Sequence, residues 1–156
     1  MSIAMKKGET FILKSAVILL GAVVLALCIF VLPAGLRGVG YYVPVVIGMY
    51  IAAIPFYFGL YQAYMLLIQI DKNDAFSEAS VRFLKHIKYY SGAISVLYIA
   101  LMPFIFNAGD KDDAPGVIVI GLVIIFAAAI VAIFAGVLQK LIQSAIDIKS
   151  ENDLTV

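Results

Sequence analysis

Few side chains in this sequence could do chemistry, and the most regular set is a row of tyrosines. Tyr50, Tyr57, Tyr61 and Tyr64 stand 7, 4 and 3 residues apart, which places them on one face of a helix. Phenol hydroxyls among apolar residues must find acceptors. This face is therefore expected to turn toward neighbouring helices, or toward a wet crevice able to take a ligand. Asp110, Asp112 and Asp113 could hold a calcium ion loosely, but they lack the ligand spacing and bidentate glutamate of a calcium loop and read as a solvated polar turn. A single cysteine, Cys28, and a single histidine, His86, exclude an intramolecular disulfide framework and a Cys/His zinc cage. Cys28 reads as an apolar packing residue, and His86, beside Lys85, as an interfacial histidine. No phosphate-binding glycine loop, HExxH, GxSxG or CxxC is present. Enzymatic chemistry has no residues to rest on, and no catalytic, cofactor-binding or metal-ligating residue is expected.

The elements that carry these residues follow from composition. The 156 residues are 64% hydrophobic and 13% charged, whereas a soluble domain is about half apolar and about a quarter charged. So little charge cannot cover a water-facing surface, so the chain is a membrane protein. Its balance of 11 basic against 10 acidic residues excludes a strongly basic nucleic-acid binder and an acidic tail.

Uncharged runs locate the spans: Ser15–Leu36 (22 residues), Gly38–Ile70 (33), Tyr89–Gly109 (21) and Ala114–Gln139 (26). About 20 helical residues cross a bilayer core of roughly 30 Å. The second run exceeds one perpendicular span and falls short of two with a turn. Its first residues, Gly38 to about Val43, read as an external loop with interfacial Tyr41 and Tyr42, and the span starts near Pro44. Four transmembrane helices result, over approximately 12–35, 44–69, 88–107 and 115–139, in one all-α bundle. Lys6, Lys7 and Lys14 precede the first run as in a secretory signal, but the run is longer than a signal core and three more spans follow, so an uncleaved first helix is expected. Lys6, Lys7, Lys14, Lys72, Arg82, Lys85, Lys88, Lys140 and Lys149 fall on one side of the membrane, against Arg37 and Lys111 on the other. Basic residues stay inside, so both termini are expected in the cytoplasm. No Asp, Glu, Lys, Arg or His sits deep in a span, as a proton-coupled pump or a voltage sensor would require.

Two segments outside the spans carry pattern. In Asp71–Lys88, Phe76, Ala79, Ser80, Phe83, Leu84 and Ile87 share a helical face opposite Glu78, Arg82 and Lys85, with Asp74 or Ser77 able to cap the start. This predicts a cytoplasmic elbow helix between the second and third spans. It would lie with its apolar face at the acyl boundary and its basic face toward anionic headgroups, or serve as a docking surface for a cytoplasmic protein. The fourth helix is expected to continue as an amphipathic stalk over 137–149, about 20 Å long. A tail over 150–156 follows it, and a chain end of this kind is ordinarily frayed. Pro55 and Pro103 should kink their helices, and Ala128, Ala132 and Gly136 set small residues on one face of the fourth.

Three segments resemble a known family: Ile47-Gly48-Met49-Tyr50 with Ile54-Pro55-Phe56; Ala75-Phe76-Ser77 with Leu84-Lys85-His86-Ile87-Lys88; and the ending Ile148-Lys149-Ser150-Glu151-Asn152-Asp153-Leu154-Thr155-Val156. They are similar to domain-of-unknown-function family 2975, over nearly all of residues 5–156. The resemblance implies a small four-helix protein of the bacterial inner membrane, without an assigned activity or cofactor. It also implies pairing with a very small cytoplasmic helix-turn-helix regulator. On that basis the expected function is non-enzymatic and regulatory or sensory. The expected contacts are Phe76, Arg82 and Lys85 on the elbow and Glu151, Asn152, Asp153, Leu154 and Thr155 on the tail, with lipid around the spans and no direct nucleic-acid contact. The alternative is a small transport, channel or immunity-type protein acting within the bilayer through Tyr50, Tyr57, Tyr61 and Tyr64.

Overall fold

A computed structural model describes residues 7–38 and 40–155, and side chains over 8–38 and 40–154. Lys6 of the basic count and Val156 of the ending lie outside the described residues, as does the side chain of Thr155. Every regular element among the described residues is helical: α1 (Lys7–Ala26), a π-helical turn (Leu27–Val31), α2 (Leu32–Arg37), a 3₁₀ turn (Gly40–Tyr42), α3 (Val43–Asp71), α4 (Glu78–Lys111) and α5 (Pro115–Thr155). Four helices are long and apolar enough to cross a membrane, α1 and α2 forming one of them through the π turn. The expected all-α architecture is the observed one.

Pro33 accounts for the break in the first helix. In the π turn the amide of Leu32 donates to the carbonyl of Leu27, five residues back. The next bond of that pattern would run to Cys28 from residue 33, and proline has no N–H to give. The Tyr50 hydroxyl of α3 donates to the Cys28 carbonyl instead, at 2.6 Å. About two turns back along the first helix, the Tyr57 hydroxyl donates to the Gly21 carbonyl at 2.7 Å. Lys14 closes the same seam, paired with Asp71 and lying 5.8 Å from the centre of the Tyr64 ring. Residues 50, 57 and 64 thus meet 28, 21 and 14, an antiparallel ladder that repeats every seven residues, as helices crossing at a shallow angle do.

Two tight turns of the same form join α3 to α4 and α4 to α5. After α3, Asp74 N–H donates to Gln69 O and Asn73 N–H to Ile70 O; after α4, Ala114 N–H donates to Gly109 O and Asp113 N–H to Asp110 O. Asn73 (φ 56°) and Asp113 (φ 48°) hold the left-handed position that each turn needs. Asn and Asp occupy that region at a lower cost than other non-glycine residues do. Packing then runs α1 on α3, α3 on α4 and, most extensively, α4 on α5. The buried core joins Val45 and Ala52 of α3 to Tyr98, Leu101, Ile105 and Ala108 of α4 and Ile125 of α5. Gly48 fits because Leu101 fills the space where its Cβ would stand, 2.3 Å from Leu101 Cδ2.

The elbow expectation needs correction. Residues 78–88 are not a separate helix but the first three turns of α4, running unbroken into the span. Their apolar face is directed into the protein rather than at acyl chains, with Ser80 fully buried and Leu84 nearly so. Ser77 rather than Asp74 provides the side-chain cap, its Oγ accepting from Ser80 N–H at 3.2 Å. The tail also differs from a frayed end: α5 continues as one helix of 41 residues to Thr155, past the expected stop at Lys149-Ser150.

Candidate functional site

The α3–α4 turn and the end of α5 line an open cleft of about 800 Å³. The turn supplies Asn73, Asp74 and Phe76; α5 supplies Ala145, Ile146, Ile148, Lys149, Asn152 and Asp153. The turn is held in place from below. Ser80 Oγ donates to the Asp74 carbonyl at 3.4 Å, so the buried start of α4 fixes the backbone two residues before Phe76. Phe76 itself falls outside helix α4, in the turn ahead of the cap. The opposite wall extends to Asn152 and Asp153 because α5 remains helical beyond residue 149 and brings them round at the spacing of the helix. The lining mixes apolar carbon from Phe76, Ala145 and Ile146 with two carboxylates, two amides and one ammonium. It suits a peptide surface that offers an apolar side chain and basic groups, and it contains no nucleophile with an adjacent base.

The expected contact residues therefore divide. Phe76, Asn152 and Asp153 meet in the cleft. Arg82 and Lys85 are exposed on the outer side of α4, with the Arg82 guanidinium 5.7 Å from the Phe83 ring centre. Leu154 is exposed at the helix end and Glu151 is exposed but engaged in an interaction of its own.

The tyrosine face divides too. Tyr50 and Tyr57 donate to main-chain carbonyls of the first helix, and Tyr64 faces Lys14. Tyr61 does not belong with them: it is 60% exposed on the outside of α3. The three inward tyrosines recur every seven residues, and a four-residue step from Tyr57 to Tyr61 rotates about 40° off that seam. Tyr50, Tyr57 and Tyr64 thus lie along the seam between the first helix and α3.

Two groups acquire partners that the sequence did not foretell. Tyr41 and Tyr42 donate to the two carboxylate oxygens of Asp112, at 3.1 and 2.8 Å, tying the turn before α3 to the turn after α4. The hydrogen bond to Asp112 raises the pKa of Tyr42 above the ordinary phenol value, with partial desolvation adding to it. For Tyr41 desolvation comes first and the Asp112 carboxylate second. His86 Nδ1 lies 3.3 Å from Gln62 Oε1 of α3, and its ring adjoins Tyr90, which stacks on Phe58. A tyrosine pair beside an acidic turn, and a histidine one helix over from a glutamine, were the available signals. Among the described residues, no three His, Cys, Asp or Glu side chains are grouped to hold a metal ion.

Comparison with known proteins agrees with this architecture. The family model described as "Protein of unknown function (DUF2975)" matches residues 38–156. The chain belongs to this family. It is also 54% identical over 160 residues, 97% of this chain and all of the relative, to the "Uncharacterized membrane protein YoaS" of Bacillus subtilis (strain 168). The DUF2975 match begins after the first helix, while the likeness to the Bacillus protein takes that helix in. No solved structure matches the chain. The protein is accordingly a membrane protein of the DUF2975 family with four helices fit to span the bilayer.

Proposed function

We propose that this DUF2975 protein is a non-enzymatic regulatory or sensory component of the inner membrane that holds a small helix-turn-helix regulator at its cytoplasmic face. The observation that carries the reading is the cleft, which gathers Phe76, Asn152 and Asp153 from segments 76 residues apart in the chain. The surplus of lysine and arginine at that end of the bundle supports placing both termini and the cleft in the cytoplasm. Asp74 and Asp153 give the cleft two negative charges against the one positive charge of Lys149. That balance favours a basic partner, as a DNA-binding regulator is, and the partner rather than this chain would touch DNA. The alternative, a transport, channel or immunity-type protein acting through the tyrosine face, is less well supported. Two of those four hydroxyls are committed to backbone carbonyls and a third tyrosine faces outward.

The test is capture of the regulator encoded beside this protein, using detergent-solubilised full-length chain. Phe76→Ala and Asp153→Ala should each weaken capture about tenfold, the effect of losing one well-packed or charged contact of roughly 1.4 kcal/mol. Truncation after Ser150 should abolish capture while leaving abundance in the membrane unchanged. Normal retention of the regulator by the truncated protein would refute the assignment of the cleft.

A further inference from the structure

We infer that Lys88 and Lys140 form a headgroup site for one anionic phospholipid, with its acyl chains laid in two furrows that meet at Lys88. The inference stands apart from the regulator reading, since neither lysine lines the cleft.

The two lysines come from different helices, 52 residues apart, and line one furrow of about 420 Å³ with Ala132, Ile133, Gly136 and Val137 of α5. Gly136 shapes it. The stem of Lys88 lies where a side chain would be, so a Cβ at Gly136 would stand 3.1 Å from Lys88 Cδ. The aliphatic stem thus packs on the helix backbone while the ammonium reaches the end of the span, the usual arrangement for a lysine at a membrane boundary. The Lys88 ammonium also lies 4.8 Å from the centre of the Tyr89 ring. A second furrow, about 620 Å³, starts at the same Lys88 and follows α4 through Tyr89, Gly92, Ala93, Val96, Leu97 and Ala100. Small residues at 92, 93 and 100 make it a depression, and Val96 at 66% exposure opens onto the acyl phase, as does Ile133 beside the first furrow.

Among the described residues the ion pair that forms joins Lys14 to Asp71, and no carboxylate is set against Lys88 or Lys140. Two lysines lining one furrow at a membrane boundary make its mouth cationic, which favours an anion there. What is available at that depth is a lipid phosphate. A basic recess between spans at the cytoplasmic side is the form that anionic headgroup sites take. Two furrows descending from one cationic point fit the two chains of a phosphatidylglycerol, whereas free phosphate would leave both furrows uncovered.

The experiment is native mass spectrometry of the full-length protein, titrated with dioleoyl phosphatidylglycerol, dioleoyl phosphatidylcholine or glycerol phosphate. One phosphatidylglycerol should be retained in preference to phosphatidylcholine. The double variant Lys88→Gln, Lys140→Gln should lose about thirty-fold in that preference, the factor that two lysines near an anionic surface supply. Gly136→Leu, which keeps both charges but fills the furrow, should lose lipid retention as well. Arg82→Gln, Lys85→Gln removes two charges outside the furrows and should change nothing. Equal retention of the two lipids would overturn the site. So would an undiminished preference in the Lys88/Lys140 variant, or an equal loss in the Arg82/Lys85 control. Binding of glycerol phosphate as tight as that of phosphatidylglycerol would show a phosphate site without lipid specificity, and would overturn it too.

Discussion

The two outer helices are joined to the bundle in different ways. α5 lies on α4 through close approach of small residues at several levels between its start and Gly136. Gly109 meets Ile118 and the carbonyl of Ala114, Gly121 meets Met102 and Ile105, Gly136 meets Lys88, and Ser95 Oγ donates to the Ile125 carbonyl at 3.1 Å. The first helix touches α3 far less, although the most apolar stretches of both outer helices are left facing outward alike. It is held at intervals of seven residues by two tyrosine hydroxyls on carbonyls and one ion pair. Where the surrounding solvent is hydrocarbon, apolar contact with lipid competes evenly with apolar contact with protein. A helix with little close packing therefore depends on its polar points, and a closely packed helix does not.

The largest effect should come from breaking the packed joint. Gly121→Leu places a branched side chain where Met102 Sδ and Ile105 Cδ1 already stand 3.2 and 3.3 Å from the position of a Cβ. Overpacking of this kind costs about 1–3 kcal/mol. It should appear as a lowered melting temperature in detergent and a broadened elution profile. A melting temperature equal to that of the parent protein would show that α5 can lift from α4 without loss.

A smaller effect, but the largest on the polar seam, is expected for Tyr50→Phe. The Cys28 carbonyl would then face an apolar surrounding with neither the hydroxyl nor an amide from Pro33, at a cost of about 1–2 kcal/mol. Pro33→Ala restores an amide donor, so the double variant should recover most of that loss. If Pro33→Ala and Tyr50→Phe are simply additive in thermal unfolding, the hydroxyl is not standing in for the missing N–H. Tyr57→Phe should cost less, about 0.6 kcal/mol, because the Gly21 carbonyl keeps its helical partner. Tyr61→Phe should leave the melting temperature unchanged, and a measurable loss there would put Tyr61 back on the seam.

The spans were legible because a run without charge has one meaning in a chain this apolar. Their continuations were less so. Lys85-His86-Ile87-Lys88 reads as the edge of a membrane, and a charge cluster is equally compatible with a helix that stops there and with one that passes through. Continuity of α4 follows instead from Ser77 capping it once and from Leu84 and Ser80 having a buried place to go. The tyrosine face was legible as a face. Its direction was not, because positions within about 60° on a helix differ only by what packs against them, and only the seven-residue recurrence separates Tyr50, Tyr57 and Tyr64 from Tyr61. The cleft was half legible. Phe76 and the ending each stood out, but their meeting depends on how far α5 stays helical, and polar residues such as Ser150, Glu151 and Asn152 carry no apolar periodicity to announce it.

That uninterrupted α5 also acts as a ruler. It has no proline after Pro115, and its 41 residues measure about 60 Å, twice the thickness of a bilayer core. One end is set by the turn beside Asp112, and the other forms a wall of the cleft. The placing of residues 145–153 opposite Phe76 is therefore tied, through one continuous helix, to the turn at the far end of the bundle.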